Sequence, residues 1–161
     1  MICIDKYNEE FLKYINIACK YAIKSTCLRR KCGSIIVSND EVIGVGFNSP
    51  VNNLEDQRRC LNDKDLYDKR ITDKTCCVHA EERAIIDALS RNSDKIKGSR
   101  IYYISVDDNG NVTEAGEPYC TLCSKMALEV GIKEFVLYKK DNICVYDTEE
   151  YNVLSYAYKS K

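Results

Sequence analysis

The sequence predicts a layered α/β fold, and three observations carry that expectation. Amphipathic helical stretches alternate with β-branched runs, one strand–helix–strand passage reads as a crossover, and the 161 residues suit one domain spanning 1–161, with no linker, repeat or low-complexity segment dividing them. Apolar residues make up 45% of the chain and charged residues 30%, a mix that folds rather than staying disordered. A domain of this length buries roughly two thirds of the surface its unfolded chain exposes, so it can close a pocket unaided.

Taken in order, the first element is an amphipathic helix over residues 11–23. Phe11, Leu12, Ile15, Cys19, Ala22 and Ile23 recur at helical spacing and leave Lys13, Asn16, Lys20 and Lys24 on the other face. Residues 34–37 and 42–47 are β-branched runs on either side of Ser38-Asn39-Asp40-Glu41, where Asn and Asp favour a turn, and together they predict a β-hairpin. The polar stretch 49–76 shows no sustained period and is long enough for a functional loop rimming a site. A helix follows over residues 78–90, with Glu81 and Glu82 in its first turn and Ala84, Ile85, Ala88 and Leu89 facing inward. Residues 101–106 form a strand, and Asp107-Asp108-Asn109-Gly110 supplies turn chemistry before Gly116-Glu117-Pro118. A helix over 120–130, ended by Gly131, leads into a strand over 134–138 and completes the crossover. The tail, 148–158, reads as a last packing helix with Asp147 as N-cap, Glu150 three residues on, and Tyr151, Leu154 and Tyr158 on one face.

A net charge of −1 supplies no broad positive field for neutralising phosphates, so a small molecule is favoured over nucleic acid as partner. Residues 1–10 lack the basic and apolar regions of a signal peptide, and no stretch approaches the ~20 apolar residues that cross a bilayer; the expectation is a cytoplasmic protein without a membrane partner. Ten cysteines in such a setting point to metal binding or buried thiols rather than disulfides. Cys3, Cys19, Cys32 and Cys144 lie in apolar patterns and read as core. Cys27, Cys60, Cys76 and Cys77 supply the four donors of a second, structural zinc site that would hold the long loop against the first helix; the alternative is free or buried thiols, and adjacent Cys76 and Cys77 make an awkward ligand pair.

His79, the only histidine, opens one helix as His79-Ala80-Glu81, and Pro118-Tyr119-Cys120-Thr121-Leu122-Cys123 opens another. Cys120 and Cys123 stand three apart, so both sulfurs can reach one ion from a first helical turn, where free N–H groups favour thiolate. One imidazole and two thiolates suit Zn²⁺, and three protein ligands leave the fourth tetrahedral position for water, the mark of a catalytic zinc. Two thiolates cancel the ion's formal charge, so it acidifies that water less than three imidazoles would allow, and a nearby base becomes useful. Glu81 is the candidate, able to take the water's proton, pass it to a ring nitrogen and then protonate a leaving amine. Residues two apart on a regular helix do not face the same way, however, so spacing alone does not bring Glu81 to that water.

At these residues the chain resembles the zinc-dependent cytidine and deoxycytidylate deaminases, whose motifs are H-x-E followed by P-C-x-x-C. The likeness extends to residues 25–37, which look like the segment entering the first strand of bacterial deoxycytidylate deaminases, and to Gly46-Phe47-Asn48-Ser49-Pro50, similar to their G-Y-N-G-x-P turn. It implies a three-layer α/β/α arrangement with a central mixed sheet of about five strands, a homo-oligomer, and deamination of dCMP to dUMP with release of ammonia. It also implies His79, Cys120 and Cys123 as zinc ligands and Glu81 as proton shuttle. Asn48 would contact the nucleotide, Ser25, Arg29 or Arg30 would lie near its phosphate, and the backbone N–H of Ala80 would hold the base carbonyl.

Two departures bear on the substrate. Tyr119 intervenes between Pro118 and Cys120, and the loop after the 101–106 strand is long. Another cytosine nucleotide, a nucleoside, or a base in nucleic acid therefore stand as alternative substrates. A silent zinc-binding regulatory subunit is the alternative from another class, disfavoured because a structural site has no use for Glu81.

Overall fold

The computed structural model describes residues 1–159. Nine strands and four α-helices alternate along these residues: β1 (Ile2–Asp5), α1 (Glu9–Ala22), β2 (Lys31–Ser38), β3 (Glu41–Phe47), β4 (Ser49–Pro50), β5 (Cys77–Val78), α2 (Ala80–Asn92), β6 (Arg100–Val106), β7 (Val112–Thr113), α3 (Thr121–Glu129), β8 (Glu134–Tyr138), β9 (Asn142–Asp147) and α4 (Thr148–Ala157). The main sheet has the order β1-β9-β8-β6-β2-β3, with β7 paired to β6 beside this path. All its ladders are antiparallel except β6 with β8, so α3 lies in the expected crossover.

Strand alternation divides the core between two faces. Ile35, Val37, Tyr102, Ile104, Val136 and Val145 pack against Phe11, Tyr14, Ile15 and Ala18 of α1. Ile36, Ile43, Ile101, Phe135 and Leu137 pack on the opposite face against Ala84, Ile85 and Ala88 of α2, Ala127 of α3 and Tyr151 of α4. The central strands β2, β6, β8 and β9 bury both faces because helices cover both, and the result is the expected α/β/α sandwich. The sheet is wider than about five strands because β1 adds an edge and β7 a short spur. Neither β1 nor β9 is anticipated from sequence. β1 is only four residues long, and the Lys139-Lys140-Asp141 turn before β9 contains none of the Gly, Pro or Asn that usually marks a hairpin.

Local signals set the element ends. Asn8 caps α1 by accepting the Phe11 N–H at 3.3 Å. Asn39 and Asp40 take φ of 49° and 62° in the β2–β3 turn, the left-handed pair that a two-residue hairpin requires. Asp147 caps α4 through the Glu149 N–H at 2.9 Å. The inward stripe of α2 holds at Ala84, Ile85 and Ala88 but not at Leu89, which is 42% exposed. The helix packs through its alanines onto the glycines of β3, a narrow contact that the row Glu81, Ile85, Leu89 leaves at its last member. Cys19, Cys32 and Cys144 are buried as expected, whereas Cys3 is exposed on the edge strand with its sulfur 3.2 Å from that of Cys144. Tyr151 stacks on Phe135 at 3.9 Å between ring centres, while Leu154 and Tyr158 stay largely solvent-facing.

Gly46 decides where α2 begins. A β-carbon there would overlap the Ala80 carbonyl oxygen, so the first turn of α2 can lie directly on β3 only because residue 46 has no side chain. That contact places His79, Ala80 and Glu81 near the end of β3, beside the start of β2.

Candidate metal centre and active site

His79 is the N-cap of α2, not part of its helical ladder: its φ of −68° and ψ of 153° are extended. Extended backbone followed by a helical turn removes the objection raised by regular helical spacing, and both His79 and Glu81 line one cavity. The His79 backbone N–H donates to Glu82 at 2.8 Å, which fixes the cap in the manner of a capping box. Glu82 is thus a positioning residue that the sequence reading passed over; its place three residues after the cap was the available signal.

Cys120 is the N-cap of α3 and accepts the Cys123 N–H at 3.4 Å. Tyr119 does not disturb this arrangement. The long loop that delivers it is anchored to β8, where the Ala115 N–H donates to the Tyr138 carbonyl at 2.8 Å and Lys139 donates to Gly116 and Glu117. The two caps meet. His79 Nδ1 lies 3.2 Å from Cys123 Sγ and 3.4 Å from Cys120 Sγ, and the two sulfurs are 3.1 Å apart. A tetrahedral zinc with arms of about 2.0–2.3 Å spans donor separations only slightly wider than these, so the three donors fit one such ion.

Proton sharing among the donors fits the same conclusion. The Cys123 thiol hydrogen-bonds to Cys120 and, with the help of His79, lowers the Cys120 thiol to about 4 against the effect of burial. The hydrogen bond to Cys120 lifts His79 to about 9. Cys123, bonded to Cys120 and buried, is raised well above the ordinary thiol range. The metal-free set therefore holds protons that a cation would displace. Burial lifts the Glu81 carboxyl to about 7; the Cys120 charge adds to this, while His79 and a hydrogen bond with Cys123 oppose it. A carboxyl in that range can both accept and donate a proton near neutrality.

The cavity in front of these groups is walled by Asn48, Ala80, Tyr103, Tyr119 and Tyr151, and Arg29, Arg30 and Arg59 also line it. Ala80 is fully buried and is the first residue of α2, so its N–H has no intrahelical acceptor. Asn48 is held firmly: its Oδ1 accepts from Ser25 Oγ at 2.6 Å and from the Cys32 N–H at 2.8 Å, and its Nδ2 donates to the Arg30 carbonyl at 2.8 Å. Ser25 does not line the cavity; its buried hydroxyl is spent on Asn48. Arg30 donates to Ser105 Oγ and the Glu114 carbonyl, both at 3.0 Å, which points its guanidinium along the wall, while Arg29 is exposed. Tyr119 is half exposed, with its ring 5.7 Å from that of Tyr158. The sequence reading missed three further contributors. Tyr103 Oη meets Cys32 Sγ at 3.2 Å, Arg59 reaches the cavity from the long loop, and Arg83 ties β4 to α2 through Ser49 Oγ at 2.6 Å. Long-range contacts place all three, and no local spacing announces them.

Among the described residues no helix is long and apolar enough to cross a membrane. A family model described as the cytidine and deoxycytidylate deaminase zinc-binding region matches residues 8–139. The chain is 25% identical over 142 residues to a deoxycytidylate deaminase of Schizosaccharomyces pombe and 27% identical over 155 residues to one of Saccharomyces cerevisiae. These alignments cover 85% and 94% of the chain but only 38% and 42% of the two relatives. The fold is similar to that of a dCMP deaminase from cyanophage S-TIM5 in complex with dCMP and dUMP, with a TM-score of 0.56 at 23% identity over 80% of this chain and 79% of that one. It is equally similar to that of a cytidine deaminase from Burkholderia pseudomallei, with a TM-score of 0.56 at 19% identity over 87% and 94%. With a family match across most of its length and the donor set of that family's motifs brought together at two helix caps, this chain belongs to the cytidine and deoxycytidylate deaminase zinc-binding family.

Proposed function

We propose that this chain hydrolyses the exocyclic amine of a free cytosine nucleotide, dCMP first among candidates, releasing ammonia and leaving the uracil nucleotide. The observation that carries the reading is the convergence of His79 Nδ1, Cys120 Sγ and Cys123 Sγ within 3.1–3.4 Å of one another, beside a buried Glu81 in a cavity whose other wall is cationic. Held by those three residues, one zinc would supply a polarised water.

Glu81 then does the proton work. Its carboxylate takes a proton from water as the hydroxide adds to the amine-bearing carbon and hands that proton to the adjacent ring nitrogen; it then moves the proton of the added hydroxyl to the amine, which leaves as ammonia when the C–N bond breaks and the C–O bond becomes the uracil carbonyl. The free N–H of Ala80 holds the base carbonyl in this reading, a role supported by its lack of an intrahelical acceptor. Tyr103, Tyr119 and Tyr151 narrow the cavity, which favours a flat ring and limits bulk water. Asn48, fixed by Ser25, Cys32 and Arg30, keeps one amide hydrogen and its ring-facing edge for the sugar. Ser25 serves here as a positioning residue. Arg29 and Arg30 are the phosphate candidates, and a guanidinium suits that role through bidentate geometry.

Relatives named for deoxycytidylate deamination support the nucleotide over the free base. The net charge of −1 supports a free nucleotide over a polymer, and the reading includes a cytoplasmic homo-oligomer. The test is ammonia release from dCMP, CMP, deoxycytidine and cytosine compared side by side with zinc-loaded protein. Turnover of dCMP above the other three is the expected result; equal inactivity on all four sinks the reading.

A further inference from the structure

Cys3 of β1 and Cys144 of β9 stand directly opposite each other in an antiparallel ladder, between the pairs Ile2 with Val145 and Ile4 with Ile143. Their sulfurs are 3.2 Å apart, so the two side chains leave the sheet on the same face and touch. Facing residues of an antiparallel pair hold their α-carbons about 4.5 or 5.5 Å apart, according to whether they exchange hydrogen bonds, and both separations lie inside the span that a disulfide bridges. Oxidation of this pair therefore asks for side-chain rotation and no change of strand register.

The two thiols differ in access. Cys3 is exposed, whereas Cys144 is only 3% exposed. Burial, with the Cys3 thiol beside it, pushes the Cys144 thiol up to about 11, and the Lys139 cation opposes this only in part. The Cys144 sulfur also contacts Asn142 Oδ1 at 3.1 Å. An external reagent meets Cys3 first, and Cys144 is the internal partner behind it.

We propose that Cys3 and Cys144 form a thiol–disulfide exchange site that takes small-molecule disulfides and closes into a cross-strand bond stapling β1 to the sheet. Cys3, as its thiolate, attacks one sulfur of the incoming disulfide; a mixed disulfide forms, the original S–S bond breaks, and one small thiol leaves with the Cys3 proton. Cys144 then attacks the Cys3 sulfur, the mixed disulfide breaks, and the second small thiol leaves with the Cys144 proton. Two protein thiols give up two electrons and two protons, and one small disulfide is reduced to two thiols. The same steps run backwards in a thiol-rich medium, so the bond follows the redox poise around the protein. None of them uses the His79 centre, and the site stands apart from the deaminase reading.

The staple acts where the sheet is weakest. β1 has four residues, three of them exposed, and it pairs with β9 alone. A ladder so short opens readily, and its opening uncovers the edge of β9, where Ile143 and Val145 are otherwise buried. A covalent link between residues 141 apart keeps that edge covered and removes freedom from the unfolded chain.

The test equilibrates the whole zinc-loaded protein in glutathione buffers from fully reduced to fully oxidised, alkylates the free thiols and maps the digested chain by mass spectrometry. A link between Cys3 and Cys144 within one chain is expected, reversed by excess reduced glutathione and absent from Cys3→Ser. Oxidised wild type should melt about 5 °C or more above the reduced form. The β9 amides that face β1 should exchange with solvent about tenfold more slowly. Neither change should occur in Cys3→Ser, which separates the staple from oxidation of the other cysteines. Glutathione held stably on Cys3, Cys3 joined to Cys3 of a second chain, or links elsewhere with Cys3 and Cys144 both still alkylated would each overturn the site. A Cys3–Cys144 bond that leaves melting and exchange unchanged overturns the staple.

Discussion

Glu81 is buried two positions after His79, the N-cap proposed to ligate zinc, and its environment explains why a carboxyl is useful there. Desolvation holds it near neutrality in its titration, so it can carry a proton in either direction. Glu81→Gln keeps the shape and removes the shuttle. Deamination is expected to fall about 10²-fold to 10⁴-fold with zinc content unchanged, measured by ammonia release beside metal analysis. Asn48 illustrates a residue with two jobs. Its side chain satisfies the buried Cys32 N–H as well as Ser25, so Asn48→Ala should lower stability by about 1–3 kcal/mol in denaturant titration, the cost of an unpaired buried donor, and weaken nucleotide binding besides. The motif residues His79, Glu81, Cys120 and Cys123 were legible in the sequence because their chemistry is specific to their type and order. The roles of Ser25, Tyr103 and Arg59 were not, because each depends on a partner more than 15 residues away in sequence or on a cavity wall.

At the scale of elements, the site is an arrangement of helix ends. α2 and α3 offer their N-caps to one another, and the glycine-lined face of β3 fixes how near α2 can come. Gly46→Ala should force the Ala80 carbonyl away from β3. The expected outcome is a lower melting temperature together with loss of activity, more severe than for Gly98→Ala, where no neighbouring atom lies in the way and only the left-handed backbone is strained. Asp87 secures the other end of the same contact: it accepts the Val45 N–H at 2.9 Å and Arg91 Nε at 2.7 Å. The Arg91 hydrogen bond, with the Val45 N–H, holds its carboxyl below the ordinary aspartate range. A lowered folded-state pKa means stability that is present above the unfolded value, near 3.9, and is lost as pH falls through the folded one. Asp87→Asn should therefore cost about 1 kcal/mol at pH 7, and the gap to wild type should close on acidification below about pH 4, as followed by denaturant titrations across pH. The helices and the β2–β3 hairpin were legible from periodicity and turn residues. β1 and β9 were not, since a four-residue edge strand and a Lys-Lys-Asp turn carry little local signal.

For the molecule as a whole, zinc is expected to be a folding ligand as well as a reagent. His79, Cys120 and Cys123 join two helices that contact each other little in any other way, so a metal at that point ties α2 to α3 across the sheet edge. Chelation should lower the melting temperature, and readdition of zinc should restore both melting temperature and activity in one titration, as a metal bound only by the folded state requires. The near-zero net charge extends the argument to partners. Binding to tRNA or single-stranded DNA should be undetectable at physiological salt, checked by anisotropy over a salt series.

Sequence alone pointed to the layered fold, to His79, Cys120 and Cys123 as a donor set suited to zinc and to Glu81 as its candidate base, because periodicity, residue type and short spacing are local properties. Tertiary structure decided that Glu81 lies on the same side as His79, since that depends on the extended backbone of an N-cap. It also decided that Ser25 supports Asn48 instead of facing the cavity, and that Cys27, Cys60 and Cys77 come together. Those outcomes depend on which distant segments are brought into contact, and contact across a fold leaves no spacing in the chain by which to read it.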